Sequence, residues 1–476
     1  MGTDKGRTMS VVTGGERDAG LTVTVRRREL VAAALPLLAH RLPLSNLDLL
    51  LPTVDVGVFF CYKNAGGATP SGAAAAVAVL RKSLAQVLVT YYPFAGEVVT
   101  NPLGEPEVLC NNRGAEFTIA AADVELRRLN FYNPDESVEG KLVPKKRHGV
   151  LSVQVTELRC GGLLVGCTFD HRIADAHSAN MFLLAWARRA QPRLDSPPPL
   201  PSLRRSLLNP RRPGHFDRSI ADMYAAVSSL PAPEAPSPSP DLFSRMYYVT
   251  AEKISELQSL AAAADAAAAS PPTKLESFTA LLWKLVAESC TSGEHPGKAI
   301  CKMGVVVDGR LRIAGGGGEM ASYFGNVLSI PFGAETATAL KERSLEDVAA
   351  AVHGFVEAAA TEEHFRGLID WVEAQRPDPV AARIYCDGGE EGPALVVSSG
   401  RRFPVAAIDF GWGGPAVGWY HFPWGGGAGL VMPMPSPARD GDWVVYVHVP
   451  RRLLEVFEEL AGEVLRPLSA AYLGLI

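Results

Sequence analysis

The residues best placed to do chemistry are gathered in one stretch, Thr168-Phe169-Asp170-His171-Arg172-Ile173-Ala174-Asp175. Histidine is the side chain whose ordinary pKa, about 6.5, lets it take and return a proton near neutrality. Held among apolar elements with a partner to fix its tautomer, such an imidazole can act as a general base. A carboxylate four residues on can hold the turn together or touch the ring. At a helix start it also suits the positive end of the helix dipole. A structural histidine beside an N-terminal helix acid would give the same short pattern, and these residues alone leave both readings open.

The flanking segments place this stretch at a hand-over. Residues 150–158 alternate between apolar and polar, which predicts a half-buried strand. Cys160-Gly161-Gly162 reads as a turn, and 163–169 is a nearly continuous apolar run, as in a buried strand. A helix is expected over 174–190, apolar from 181 to 187, with Arg188 and Arg189 in its last turn and Pro192 as its stop. His171 therefore sits where a buried strand gives way to a buried helix.

Other chemistries find less support. His177 is close to His171 and Asp175, but no further ligand type stands nearby to complete a metal site. There is no Gly-x-Ser-x-Gly elbow and no phosphate loop. Lys145-Lys146-Arg147 reads as a solvated face. A lone base without a resident nucleophile points to direct attack of one substrate on another. The second unusual stretch is Asp409-Phe410-Gly411-Trp412-Gly413. Its glycines permit close backbone packing, and a structural turn is the preferred reading.

At 476 residues with 47% hydrophobic content, the chain can fill more than one core. Its net charge of −5 lacks the basic bias of a nucleic-acid binder. Seven cysteines, at 61, 110, 160, 167, 290, 301 and 386, form no CxxC pair. That argues for reduced thiols in the cytoplasm, and against a disulfide framework or a zinc site. No signal sequence and no membrane-spanning run is expected. Residues 1–20 read as loose.

Residues 191–240 hold 12 of the 36 prolines and read as a crossover between domains at 1–190 and 241–476. A short helix is expected at 223–230. In the first part, strands are expected at 21–26 and 54–62, a loop at 65–72 and a helix at 73–89. In the last part, helices are expected at 251–269, 276–288 and 451–465. Strands are expected there at 245–250, 303–307, 327–331, 395–399, 430–432 and 443–449, with a glycine loop at 315–318.

The two unusual stretches, in this order and about 240 residues apart, resemble the plant BAHD acyltransferase family, with its His-x-x-x-Asp and Asp-Phe-Gly-Trp-Gly motifs. Further family-like pieces stand in register: Tyr92 to Gly96, Ser277 to Ala280 leading to Trp283, Asp308 to Arg312, and Tyr323 to Asn326. The resemblance implies an α/β fold of two chloramphenicol-acetyltransferase-like domains, with mixed sheets flanked by helices, a long crossover and an active-site channel between them. It implies acyl-CoA as co-substrate rather than a resident cofactor, a monomer, and direct transfer with His171 as base. Asp175 should pair with Arg310 or Arg312, shaping the site, and Asp409 to Gly413 should be structural. Lys274 and Ser277 match a segment near the pantetheine and phosphate ends of CoA.

One departure bears on the acceptor. Many hydroxycinnamoyl transferases of the family carry Thr-Ser-Trp where this chain has Ser398-Ser399-Gly400. Gly400 has no indole N–H to offer an oxyanion, so Ser398 or Ser399 becomes the candidate, and a shikimate or quinate acceptor is put in doubt. Leu44-Ser45-Asn46-Leu47-Asp48 and the stretch Gly418 to Trp424 resemble the coniferyl alcohol acyltransferase branch, which implies a phenylpropanoid alcohol. Transfer to an aromatic amine or polyamine is the first alternative, and a binding protein that kept the fold is the second. A condensation domain would carry a second His where Asp170 stands and a Gly where Ala176 stands.

Overall fold

A computed structural model describes residues 21–63, 70–191, 200–230, 242–262, 271–290, 296–313, 317–386, 392–424 and 426–476. The expectations for residues 1–20, Pro192, most of the 65–72 loop and the start of the 315–318 loop lie outside them. The principal strands, in chain order, are β1 (Val23–Val31), β2 (Asp55–Tyr62), β3 (Ala115–Ala122), β4 (Leu151–Leu158), β5 (Leu163–Asp170), β6 (Leu242–Val249), β7 (Ile300–Val305), β8 (Phe332–Thr336), β9 (Ala394–Val397), β10 (Val417–His421), β11 (Gly429–Pro435), β12 (Trp443–Pro450) and β13 (Arg466–Pro467). The main helices are α1 (Pro70–Val87), α2 (Ala176–Ala190), α3 (Lys274–Glu288), α4 (Leu345–Ala359), α5 (Glu362–Gln375) and α6 (Arg451–Leu460).

The first sheet runs β1-β3-β4-β5-β2-β10, with β3 and β4 parallel and the other neighbours antiparallel. Its centre is buried on both faces. β5 is buried along its whole length, as its apolar run predicts. β4 departs from the expected half-buried alternation, since Ser152, Gln154 and Thr156 are all buried. A loop before β4 covers this polar face and supplies partners. Gln154 Nε2 donates to the Lys141 carbonyl at 2.6 Å, and Thr168 Oγ1 donates to that of Pro144. The loop lies so close that a Cβ on Gly166 would stand 2.4 Å from the Leu142 carbonyl oxygen. That contact explains a glycine within an apolar strand.

β10 comes late in the chain yet closes the first sheet, with Val417 opposite Cys61 and His421 opposite Gly57. Residues expected with the second half thus complete the core of the first. The second sheet runs β8-β7-β9-β11-β12-β6-β13. α3 packs against it through Phe278, Leu282 and Val286, beside α4 and α6. α3 begins with a capping box, in which Thr273 and Glu276 satisfy each other's backbone N–H groups.

Expected boundaries mostly shift by a few residues. Of the helix expected at 223–230, only a 3-10 turn at Val227–Ser229 forms. A helix spans Arg218–Met223 and is followed by a strand, Tyr224–Ala226, paired with Val380–Ala382. Buried Tyr224 decides this locally, because its hydroxyl accepts from Ile330 N at 2.8 Å and lies 3.0 Å from Ser329 Oγ. The closing helix stops at Leu460 rather than 465. α4, α5, β3, β8, β10 and β13 have no counterpart among the expected elements. The two helices carry readable caps, Ser344 accepting from Asp347 N and Thr361 accepting from His364 N.

Candidate active site

A cavity of about 630 Å³ lies between the two sheets. Its wall takes Phe169 and His171 from the first half and Val305, Arg402 and Met432 from the second. His171 follows β5 directly. Its backbone N–H donates to the Val54 carbonyl at 3.0 Å, and its carbonyl accepts from Asn326 Nδ2 at 3.0 Å. Asn326 is itself held by Asp48, whose Oδ1 accepts from Asn326 N at 2.7 Å and Nδ2 at 2.9 Å. The other oxygen of Asp48 accepts from Ser45 N and Oγ. Asp48 and Asn326 are fully buried, where such bonds hold geometry firmly. The 44–48 and 323–326 stretches, met in the sequence as separate resemblances, therefore meet on the backbone of His171. Nothing in their spacing reveals that meeting.

The His171 ring packs against the edge of Phe422, centroids 5.9 Å apart. Its Nδ1 is buried without a hydrogen-bond partner among the described residues. The expected tautomer-fixing partner is thus absent there, and backbone anchoring with aromatic packing orients the ring instead. Neighbouring Asp170 is occupied by Arg172, through bonds of 3.0 and 2.7 Å.

Asp175 caps α2, accepting from Ser178 N at 2.9 Å. It turns away from the cavity centre onto Arg310, with Oδ2 to Nη1 at 2.7 Å and Oδ1 to Nη2 at 3.1 Å. Both side chains are about 1% exposed, which makes this a buried, bidentate ion pair. Burial alone would raise the Asp175 carboxyl, but the Arg310 charge and hydrogen bonds outweigh it and hold the pKa below the usual carboxylate value. Arg310 also reaches the Gly325 carbonyl at 2.8 Å. Of the two expected partners, Arg312 plays no part. It is exposed and lines the cavity. His177 points to the Ala321 carbonyl at 2.9 Å, and burial followed by the Arg310 charge lowers its pKa.

Asp409 to Gly413 forms a turn outside the cavity wall. Asp409 Oδ1 accepts from Gly411 N at 2.7 Å and Gly413 N at 2.9 Å, and both glycines have positive φ, 106° and 95°. No cation is required, because backbone N–H groups serve the carboxylate. Phe410 meets Trp186 of α2 edge-on at 4.9 Å, and the Asp409 carbonyl accepts from Gln191 at 2.8 Å. The turn thus braces the far end of the helix whose first turn holds Asp175.

Ser398 and Ser399 both line the cavity. Gly400 beside them has no room for a side chain, since a Cβ would stand 2.3 Å from Met434 Cγ and 2.9 Å from the Pro433 carbonyl oxygen. Lys274 is exposed at the start of α3, and Leu275 rather than Lys274 reaches the cavity. Ser277 is fully buried and donates to the Thr273 carbonyl at 3.0 Å, so it does not face the cavity as a CoA contact would require.

Two mixed sheets flanked by helices, with a cavity between them, give the chloramphenicol-acetyltransferase-like fold. Comparison with known proteins agrees. The model of the Transferase family matches residues 21–463. Putrescine hydroxycinnamoyltransferase 3 of Oryza sativa subsp. japonica is 28% identical, over 88% of this chain and 92% of its own. Hydroxycinnamoyl-CoA:5-hydroxyanthranilate N-hydroxycinnamoyltransferase of Avena sativa is 28% identical, over 93% of this chain and 100% of its own. The crystal structure of vinorine synthase superposes with a TM-score of 0.65 at 22% identity, covering 94% of this chain and 99% of that one. The chain belongs to this family, the BAHD acyltransferases, and is a transferase enzyme. No described helix is long and apolar enough to cross a membrane.

Proposed function

We propose that this enzyme moves a hydroxycinnamoyl, benzoyl or acetyl group from a CoA thioester to the hydroxyl of a phenylpropanoid-type alcohol, with His171 as general base. The observation that carries the reading is the anchored His171 imidazole on the wall of a large cavity shared by both halves. The acceptor O–H gives its proton to the imidazole as its oxygen attacks the thioester carbonyl. The tetrahedral oxyanion forms beside Ser398 and Ser399, our candidates to donate to it. It then collapses, the C–S bond breaks, and the imidazolium returns the proton to the CoA sulfur. General-base assistance of this kind contributes ~100- to 10,000-fold, and the rest comes from alignment of two substrates and charge stabilisation. Asp175 with Arg310 shapes the wall and does not join the proton transfer.

The acceptor class rests on the lining. Phe422, Trp424 and Tyr385 offer aromatic surface to a phenyl ring. Transfer to an amine is the second reading, favoured by the amine acceptors in the names of both relatives. A polyamine would need carboxylates to receive its charge. The two carboxylates lining the cavity among the described residues, Asp175 and Asp308, already bond Arg310. An aromatic amine therefore fits better than a polyamine. A cytoplasmic location accords with seven free thiols, and a monomer with the resemblance.

The test offers acetyl-, malonyl-, benzoyl- and p-coumaroyl-CoA against coniferyl alcohol, shikimate, tyramine and a polyamine, and follows free thiol. Turnover is expected with an aromatic alcohol and is lost in His171→Ala. Turnover with amines alone moves the acceptor class. Thiol release unchanged in His171→Ala would overturn the catalytic role.

A further inference from the structure

Two cysteines meet away from the cavity. Cys290 lies just beyond the last residue of α3, Cys301 stands on β7, and their sulfur atoms are 3.5 Å apart. They are the only thiols hydrogen-bonded to each other among the described residues. A disulfide needs sulfurs at ~2.05 Å, so the gap to close is ~1.5 Å. Cys290 can supply that movement. It lies past the regular helix, held by a 3.1 Å bond from its N–H to the Ala287 carbonyl and a long 3.6 Å contact from its thiol to that of Val286. It is half-buried, whereas Cys301 is fully buried.

The pair also differs in acidity. The hydrogen bond from the Cys301 thiol, with help from the Lys341 charge, lowers Cys290 to about 7 against the cost of burial. The same bond and burial push Cys301 up. One accessible, acidic thiol beside a protected partner is the arrangement of an attacking and a resolving cysteine. Cys61 and Cys167, by contrast, are fully buried, and burial pushes both thiols up.

We propose that Cys290 and Cys301 are a redox modification site, at which hydrogen peroxide drives formation of a disulfide that staples the end of α3 to the start of β7. The Cys290 thiolate attacks one peroxide oxygen. The O–O bond breaks, leaving a sulfenic acid and hydroxide, which takes up a proton to become water. The Cys301 sulfur then attacks the Cys290 sulfur, the S–S bond forms, the S–O bond breaks and a second water leaves. Two thiols are oxidised and one peroxide is reduced to two waters. Neither cysteine lines the cavity. α3 meets the cavity at Leu275, ~20 Å of helix before its end at Glu288, and β7 meets it at Val305, four residues after Cys301. Oxidation thus joins α3 to β7 outside the cavity wall.

The full-length protein treated with hydrogen peroxide, digested without reductant and mapped by mass should show the two peptides joined with loss of two hydrogens. Tm should rise by a few degrees, reversibly with dithiothreitol, and the rise should be absent in Cys290→Ser. In Cys301→Ala, alkylation of Cys290 by iodoacetamide at neutral pH should slow several-fold. Cys290 recovered as sulfinic acid, joined to another cysteine, or still free after peroxide would overturn the proposal, and wild-type mapping decides this without any variant.

Discussion

Asp175 and Asp409 look alike in the sequence, each an acid at the edge of a short motif, yet their surroundings differ in kind. Asp175 is fully buried, and a guanidinium matches its charge. Asp409 is half-exposed, and two glycine N–H groups at positive φ satisfy it. The first arrangement joins two halves of the chain across 135 residues, so its loss exposes a buried charge. The second is local and shapes one turn. They act on opposite ends of the same helix, since Asp175 caps the start of α2 while Phe410 and Asp409 brace its end. Similar residues can therefore carry unequal energetic weight, decided by what surrounds them rather than by what they are.

The largest effect belongs to His171, four residues before Asp175. His171→Ala should lower kcat by ~100- to 10,000-fold with little change in unfolding midpoint. A loss in turnover matched by a loss of folded protein would blur the distinction between chemistry and scaffold.

Asp175→Ala should cost ~3 kcal/mol in urea unfolding, because it leaves buried Arg310 with only the partly exposed Asp308 to match its charge. Arg310→Lys should not restore the bidentate geometry. The pH dependence follows from the lowered carboxyl. The Asp175 contribution is fully present above the unfolded value of about 3.9, and it is lost as pH falls through the lower folded value. Wild-type stability should fall on acidification below about pH 4, more steeply than that of Asp175→Asn. Equal slopes would remove the ion pair as the cause.

Gly400→Ala should cost ~1–3 kcal/mol, through overpacking against Met434 and the Pro433 carbonyl. Partial recovery on adding Met434→Ala would tie the effect to that contact. Asp409→Ala should be mildest, ~1 kcal/mol, since its partners lie near solvent and regain water. Turnover per folded molecule should stay within about a factor of three. A stability loss as large as that of Asp175→Ala would erase the contrast between the two motifs.

Much of the local structure was legible. The apolar run of β5, the apolar face of α3 and the hand-over at His171 follow from periodicity and composition, which act over a few residues. The misreadings have long-range causes. β4 looked amphipathic because the loop that covers its polar face is remote in pattern, though near in space. Residues 224–226 became a strand because the buried Tyr224 hydroxyl found partners over 100 residues away. Ser277 is the local exception, since helix phase alone turns its side chain into the core.

The sequence by itself determined the family, the candidate base and the need for a partner to Asp175, because motifs and periodicities are properties of neighbouring residues. Only the tertiary structure decided that Arg310 rather than Arg312 is that partner, that Asn326, held by Asp48, bonds the His171 carbonyl, and that β10 completes the first sheet. It also brought Cys290 against Cys301. Each is a meeting of side chains or strands set by packing across the fold, and such meetings leave no spacing in the chain from which to read them.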